Sequence, residues 1–354
     1  MSSWFSFRLP FRFPSTTIVR SSSSDTEPAI KIDGHDPQNL LVLVHGINGS
    51  TADWTYAEAE LRKQLGTDYL IYVSSSNTYK RTFDGIDEAG KRLADEVVRL
   101  VNQSSGLKNI SFLAHSLGGL FARYAIASLY SSSMIAGLVP IHFITLATPH
   151  LGVRGNKQLP LLFGLRILEN LAPSVAPYLV GRTGYQLFLT DGKLNEPPLL
   201  LRMSSDCDDL KFISSLASFQ TRTLYANMSY DHMVGWRTSS IRRKNEIVKS
   251  RSSLVESSEG YRNIVNIDYF PPLTSREGDD SVTRDTGRQT TMENYELIED
   301  EMISRLQSVG WKKIDVNFCS SRLPYFAHHN IHVKRKWLNN AGTDIIAHVA
   351  DCLK

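Results

Sequence analysis

The sequence predicts an α/β fold in which a mostly parallel central sheet is flanked by helices. Two observations support this prediction: short apolar runs alternate with amphipathic stretches of helical spacing, and turn residues separate them. Strands that alternate with helices form right-handed crossover units, and the strands of such units lie parallel in one sheet. The run over residues 40–44 is apolar at every position, which is typical of a strand covered on both faces.

The elements follow one another in order through the N-terminal part of the chain. The apolar spacing predicts strands over 40–44, 69–73, 110–114 and 141–146, and between them helices over 56–65, 86–101 and 119–130. After an interruption, the pattern resumes with a helix over 210–217 and a strand over 221–226.

The C-terminal part adds three elements. A helix that includes residues 295–306 ends at Gly310, a strand covers 314–318, and a final helix covers 336–353. Polar and apolar residues alternate in the strand over 314–318, so we expect it to lie half-exposed at an edge of the sheet.

Two segments depart from this pattern. Residues 151–205 are rich in leucine and turn residues and lie between two strand–helix units, which favours an inserted apolar cap over a cleft. Additional core helices are the alternative interpretation of this segment. Residues 273–291 are polar and contain two aspartates directly after a glycine, which predicts a long surface loop.

Length and composition limit the classes of protein to which the chain can belong. Its 354 residues are 42% hydrophobic and 21% charged, as in a globular protein, and residues 36–354 suit one decorated domain. The 39 basic and 36 acidic residues give no reason to expect a nucleic-acid partner. Three distant cysteines without CxxC spacing argue against a disulfide framework and a cysteine-rich zinc site. No apolar run is long enough for a membrane-spanning helix.

Residues 1–35 differ in composition and are predicted to be a leader. They carry Arg8, Arg12 and Arg20 among serines and aromatic residues, with no acidic residue before Asp25, which is typical of an organelle transit peptide. A transit peptide would direct the protein to a plastid or a mitochondrion. A disordered leader is the alternative, and the protein would then be cytoplasmic or peripheral at a membrane. Aromatic and basic residues together also suit contact with a membrane surface.

The residues Ala-His-Ser-Leu-Gly-Gly at 114–119 join an apolar strand to a helix. This is the setting of a nucleophile elbow, a tight turn that exposes a serine hydroxyl at the carboxyl end of a sheet. Ala114 replaces the first glycine of the GxSxG pattern and is still small enough for the turn. Ser116 is therefore the candidate nucleophile. His115 is interpreted as a neighbour of the elbow and not as the base, because adjacent side chains on such a turn diverge.

The residues after the first strand, His-Gly-Ile-Asn at 45–48, occupy the position of a second oxyanion donor in a fold of this kind. A carbonyl attacked by serine becomes an oxyanion, which preorganised backbone N–H groups stabilise as its charge develops. We predict that the N–H groups of Leu117 and Ile47 are these donors, since Gly46 lets the loop approach. An ordinary glycine turn is the alternative.

Serine becomes a strong nucleophile only beside a base, which an acid must orient. Asp231 follows the strand over 221–226 and is the preferred acid, and Asp191 is the second candidate. The base is expected among the histidines at 328, 329 and 332, after the last strand. A metal site at these histidines is disfavoured because no carboxylate motif accompanies them.

Seven blocks in one order resemble the putative serine esterase family, which consists of lipase-like α/β-hydrolases of plants and fungi. The resemblance extends from about residue 40 to the C-terminus, and its blocks are LVHGING (43–49), AHSLGG (114–119), ARYA (122–125), LATPHLG (146–152), QLFLTD (186–191), DHMVGWRTSS (231–240) and AHHNIHV (327–333).

The resemblance implies a serine hydrolase of carboxylic esters, with lipid esters as substrates and no metal or organic cofactor. Matched by position, it implies Ser116 as the nucleophile, Asp231 as the acid and His328 as the base. Family members tend to have asparagine where this chain has His329, which therefore stays a reserve candidate for the base. Acyl transfer to an alcohol and a catalytically silent lipid-binding fold are the alternative functions. We also expect the protein to contact a membrane peripherally.

Overall fold

The computed structural model describes residues 36–153, 181–193, 196–243, 245–246, 260–272 and 291–354. The predicted leader at 1–35 lies outside the described residues. So do most of the predicted polar loop at 273–291 and residues 154–180 of the predicted cap. No helix in the described ranges is long and apolar enough to cross a membrane.

A seven-stranded sheet, in the order β2-β1-β3-β6-β7-β9-β8, forms the centre of the described part. Its strands are β1 (Asn39–Val44), β2 (Tyr69–Val73), β3 (Asn109–His115), β6 (Val139–Leu146), β7 (Thr221–Asn227), β8 (Ile264–Phe270) and β9 (Trp311–Val316). The short strands β4 (Tyr130–Ser131) and β5 (Met134–Ile135) form a separate hairpin. Neighbouring strands in the large sheet are parallel except β8 and β9, which are antiparallel.

The described α-helices connect and cover these strands. They are α1 (Thr55–Leu65), α2 (Ile86–Gln103), α3 (Gly118–Leu129), α4 (Leu199–Arg202), α5 (Phe212–Ala217), α6 (Trp236–Ser240), α7 (Thr291–Gln307), α8 (Ala327–Asn330), α9 (Lys336–Asn339) and α10 (Thr343–Cys352). Residues 181–187 are also helical. The mostly parallel α/β class predicted from the alternation is therefore confirmed.

Two apolar cores cover the two faces of the sheet. Successive residues of β1 point to opposite faces, so Leu40 and Val42 pack with α2 and α3, whereas Leu41 and Leu43 pack with α1 and α10. Every one of these strand side chains is fully buried. A strand buried on both faces is apolar at nearly every position, which is why the run over 40–44 predicts this strand so clearly.

The prediction of an exposed edge strand over 314–318 is wrong. β9 (Trp311–Val316) lies between β7 and β8, and its Lys313 and Asp315 side chains are fully buried. Asp315 forms an ion pair of 2.6 Å with Arg242 and accepts a hydrogen bond from the Trp236 indole. The polar positions of this strand thus face a buried ionic network and not water. The edge strand on this side of the sheet is β8.

Candidate active site

The candidate site lies at the carboxyl edge of the parallel strands. The loops that follow β1, β3, β7 and β9 all leave the sheet at this edge, because parallel strands present their carboxyl ends on one side. These loops carry the glycine loop at 45–50, the elbow, the acid candidate and the histidine block.

Ser116 occupies a tight turn between β3 and α3. Its φ of 55° lies in the left-handed region, where a residue with a Cβ is strained, as the elbow geometry requires. The turn is held by a hydrogen bond of 2.8 Å from the Ser116 N–H to the Leu146 carbonyl. A Cβ at Gly118 would lie 2.5 Å from the carbonyl oxygens of Val44 and His45. Only glycine lets α3 begin this close to the end of β1.

His328 lies in α8 and links Ser116 to Asp231. Its Nε2 is 3.0 Å from Ser116 Oγ, and its Nδ1 is 3.0 Å from Asp231 Oδ2. All three side chains are buried. The structure thus brings together three residues that are far apart in the sequence, in the arrangement of nucleophile, base and orienting acid.

Asp231 is held as a carboxylate by three further hydrogen bonds. Its Oδ2 also accepts a hydrogen bond from Asn227 Nδ2, at 2.7 Å, and its Oδ1 accepts from the N–H groups of Met233 and Val234. Burial raises the pKa of Asp231, but His328 and these donors outweigh that effect and leave the pKa below its ordinary value. Asp231 is therefore ionised at neutral pH and can stabilise a protonated His328.

The two predicted oxyanion donors belong to the residue after Ser116 and to the residue after Gly46. Among the described residues, neither the Leu117 N–H nor the Ile47 N–H donates a hydrogen bond, so both are available to a ligand. The glycine loop packs against the elbow, since a Cβ at Gly46 would lie 2.8 Å from Ser116 Cβ. The same loop is fixed by a hydrogen bond of 2.9 Å from the Asn48 N–H to Thr82 Oγ1.

The two reserve candidates have other surroundings. The His329 ring lies 5.6 Å from the His328 ring, and its Nδ1 has no hydrogen-bond partner among the described residues. Burial and the nearby His328 lower the pKa of His329 to about 3. Asp191 accepts a hydrogen bond from the Leu199 N–H, at 3.0 Å, and burial raises its pKa. The structure therefore brings neither residue to Ser116.

The sequence indicated that His115 neighbours the elbow but gave it no role, and it did not indicate Asn227. His115 Nε2 is 2.8 Å from the backbone oxygen of His328, and Asn227 donates to the acid as described above. Burial and neighbouring histidines lower the pKa of His115 well below its ordinary value, so it is a neutral donor here. The position of His115, directly before Ser116, indicated that it lies near the site. The position of Asn227, at the end of β7, did not indicate that it contacts Asp231.

The histidine block does not form a metal cluster in the described residues, where no group of three or more His, Cys, Asp or Glu side chains is placed to hold an ion. His332 instead stacks on His115, with ring centroids 3.7 Å apart. Burial and the adjacent histidines lower the pKa of His332 well below its ordinary value. The His332 and His329 rings next to His328 are therefore neutral, the first buried and the second half-buried.

Comparison with known proteins gives one family and several relatives. The family model described as "Putative serine esterase (DUF676)" matches residues 34–241, a range that contains Ser116 and Asp231 and ends before His328. A Saccharomyces cerevisiae protein named "Putative lipase YDL109C" is 32% identical over 217 residues, which are 59% of this chain and 31% of that protein. The Schizosaccharomyces pombe "Putative lipase C4A8.10" is 27% identical over 241 residues, 60% of this chain and 29% of that protein.

The chain spans less than a third of the length of these two curated relatives. Among solved structures, Aspergillus fumigatus lipase B is 14% identical, over 57% of this chain and 40% of that one, with a TM-score of 0.38. The family match covers more than half of the 354 residues and confirms the resemblance that the sequence blocks indicated. The chain belongs to the family described as "Putative serine esterase (DUF676)".

Proposed function

We propose that the protein is a serine hydrolase that cleaves carboxylic esters of lipids through an acyl-enzyme on Ser116. One observation carries this proposal: an unbroken chain of hydrogen bonds runs from Ser116 Oγ through His328 to Asp231, with both contacts at 3.0 Å. A serine hydroxyl paired to an imidazole whose other nitrogen faces a buried carboxylate is activated for acyl transfer.

In the first half of the reaction, Ser116 Oγ attacks the ester carbonyl carbon while His328 Nε2 takes the hydroxyl proton. The carbonyl oxygen becomes an oxyanion, which the N–H groups of Leu117 and Ile47 stabilise. The C–O bond to the alcohol then breaks, and His328 gives its proton to the leaving oxygen. The carboxylate of Asp231 stabilises the imidazolium throughout and keeps its own charge.

In the second half, water replaces the alcohol. His328 takes a proton from the water as its oxygen attacks the acyl carbon, and the same amides stabilise the second oxyanion. Collapse of this intermediate releases the carboxylic acid and returns the proton to Ser116 Oγ. Because the ester and water supply every atom, the cycle needs no metal or organic cofactor.

Two observations favour lipid esters as substrates. The yeast relatives are named "Putative lipase", and the family model matches the range of this chain that carries Ser116 and Asp231. The segment 151–205, proposed as a cap, is rich in leucine, and an apolar cap over the site would suit an acyl chain better than a polar acid. Its described residues Leu187, Phe188 and Leu200 pack in the core beneath α2 and α3, so the acyl chain would contact other leucines of the segment.

The test is a screen of lipid classes with the wild type and Ser116→Ala, together with labelling by a fluorophosphonate probe. We expect Ser116→Ala to lower turnover on the order of 10⁶-fold and to abolish labelling, because the three residues act as a unit. Ser131→Ala, at an exposed serine of the β4–β5 hairpin, is the matched control and should keep both.

The same experiments separate the rival functions. Full esterase activity in Ser116→Ala would reject the assignment of the nucleophile. If the wild-type protein binds lipid but does not react with the fluorophosphonate probe, it is a catalytically silent lipid-binding fold. Products formed with an added alcohol acceptor, in place of free acid, would indicate acyl transfer.

A further inference from the structure

Three loops at the carboxyl edge of the sheet expose aromatic side chains beside the site. Tyr79, in a 3-10 turn after β2, is 61% exposed, and Tyr325, three residues before His328, is 67% exposed. Tyr230, directly before Asp231, is also exposed. Large aromatic rings are usually buried, so the exposure of three of them at one edge of the sheet requires a physical explanation.

These rings are fixed to the catalytic loops. The Tyr230 and Tyr325 rings are in edge contact, with centroids 5.3 Å apart, although they lie on loops after different strands. The Tyr79 N–H donates a hydrogen bond of 2.8 Å to the Gly49 carbonyl, which joins its turn to the loop that carries Ile47. The aromatic positions are therefore attached to the loops that carry Ile47, Asp231 and His328.

Exposed basic residues accompany the aromatic ones. Lys80 and Arg81 follow Tyr79, Arg322 precedes Tyr325, and within the described ranges none of the three cations has a carboxylate partner. No acidic residue occurs between positions 316 and 343.

Two carboxylates on the loops at this edge are already paired with other cations. Asp53 pairs with Lys334 at 3.1 Å, and Asp84 pairs with Arg92 at 2.8 Å. The unpaired charge on these loops is therefore positive.

We propose that this surface docks the protein on an anionic lipid bilayer, with Ser116 facing the lipid. We call the surface the rim, and it consists of Tyr79, Lys80, Arg81, Tyr230, Arg322 and Tyr325. Tyrosine rings settle at the boundary between headgroups and acyl chains, because one end is apolar and the other polar. Basic residues at that depth are attracted to negatively charged headgroups. Charge complementarity thus selects an anionic lipid surface as the occupant.

The inference rests on the proposed function for its biological purpose, since docking on this edge would bring lipid esters to the nucleophile. Its geometry does not depend on catalysis. Binding can therefore be measured with Ser116→Ala as the background of every variant, so that no hydrolysis alters the vesicles.

The first experiment compares cosedimentation with vesicles of phosphatidylcholine alone and with vesicles that also contain phosphatidylserine. Each basic residue near such a surface strengthens binding about five-fold. We expect the triple variant Lys80→Gln, Arg81→Gln, Arg322→Gln to bind the anionic vesicles on the order of 100-fold more weakly. The matched control, Lys63→Gln, Arg99→Gln, Lys108→Gln, removes the same charge from exposed positions away from the rim and should bind as the parent does. Thermal melting checks that both variants are folded.

The second experiment locates the contact by hydrogen–deuterium exchange of the full chain with the same vesicles. Peptides that contain Tyr79, Tyr230 and Tyr325 should gain protection on anionic vesicles, and added salt should remove it. Equal binding of both triple variants, equal binding to both vesicle types or protection confined to other peptides would each overturn the proposal. A protein that binds through the rim but hydrolyses no ester would instead refute only the proposed function.

Discussion

The imidazole of His115 donates a hydrogen bond of 2.8 Å to the backbone carbonyl of His328. Because a carbonyl only accepts, the hydrogen must be on Nε2 of His115. His115 is the last residue of β3 and directly precedes Ser116, so this bond joins the strand before the elbow to the short helix that carries His328. The distance between Ser116 Oγ and His328 Nε2 thus depends on a third side chain that touches neither atom.

His115 is expected to act as a positioning residue. His115→Phe keeps a ring to stack on His332 but removes the donor, so we expect kcat to fall between about tenfold and a hundredfold with little change in KM. His115→Gln retains an N–H donor and should recover part of the loss. Steady-state kinetics on a soluble ester measure both parameters. An unchanged kcat in His115→Phe, with a loss in His115→Gln, would mean that the ring shape and not the hydrogen bond is what matters.

Asp231→Asn should lower kcat roughly 10⁴-fold without unfolding the protein. The amide lacks the charge that stabilises imidazolium, and it can present N–H in place of an acceptor to His328 Nδ1. Asp191→Asn is the matched control, because Asp191 bonds to the Leu199 N–H and not to a histidine. Kinetics of the two variants distinguish the acid candidates, and a larger loss in Asp191→Asn would reassign the role.

Three strands of the sheet show where sequence patterns are informative and where they are not. Strands over 40–44 and 69–73 were predicted almost to the residue, because a strand buried on both faces leaves an apolar run between turns. In β9, by contrast, Lys313 and Asp315 alternate with apolar residues and are nevertheless buried among Arg242 and the Ile241 carbonyl. An alternating pattern shows which positions of a strand are polar. It does not show whether those side chains contact water or a buried ion pair.

The residues of the site likewise differ in whether local sequence is enough to predict them. The elbow is a local motif, so strand, turn and helix together identify Ser116 as the candidate. The choice between His328 and His329 depends on the direction of each side chain around α8, which spacing alone does not give. Asn227 was not foreseen, because its role depends on the path of the loop that returns Asp231 towards it.

Gly46→Ala should impair catalysis more than it impairs folding. The added Cβ would lie 2.8 Å from Ser116 Cβ and 3.2 Å from its Oγ, so either the serine or the loop with the Ile47 N–H must move. Loss of an oxyanion donor costs about 10²- to 10³-fold in turnover, and local overpacking costs about 1–3 kcal/mol of stability. The measurements are kcat and the free energy of unfolding.

Gly137→Ala is the control for stability in that experiment. Its φ of 77° makes alanine unfavourable by about 1–2 kcal/mol, but open space surrounds the position. This variant should lose stability and keep its turnover. If Gly46→Ala also kept its turnover, the glycine loop would not supply an oxyanion donor.

Lys313 gives the protein a distinct dependence of stability on pH. Its ammonium is fully buried, donates to the Ile241 carbonyl at 2.8 Å and lies over the Phe270 ring. Burial, together with the nearby Arg242, lowers the pKa of Lys313 to about 7, whereas an unfolded lysine has a pKa of about 10.4. Between these values the unfolded chain binds more protons than the folded one, so stability from this group rises with pH.

Lys313→Met should remove that rise. We expect the free energy of unfolding of the wild type to increase from about pH 7 to about pH 9, relative to the variant, by up to about 1.4 kcal/mol per pH unit. Below about pH 7 the lysine is protonated in both states, and the two proteins should respond to pH alike. Denaturant unfolding at several pH values measures the difference in slope. The control is Lys108→Met, at an exposed lysine, and its stability should rise with pH as that of the wild type does. If stability changed with pH equally in Lys313→Met and the wild type, Lys313 would stay charged in the folded core.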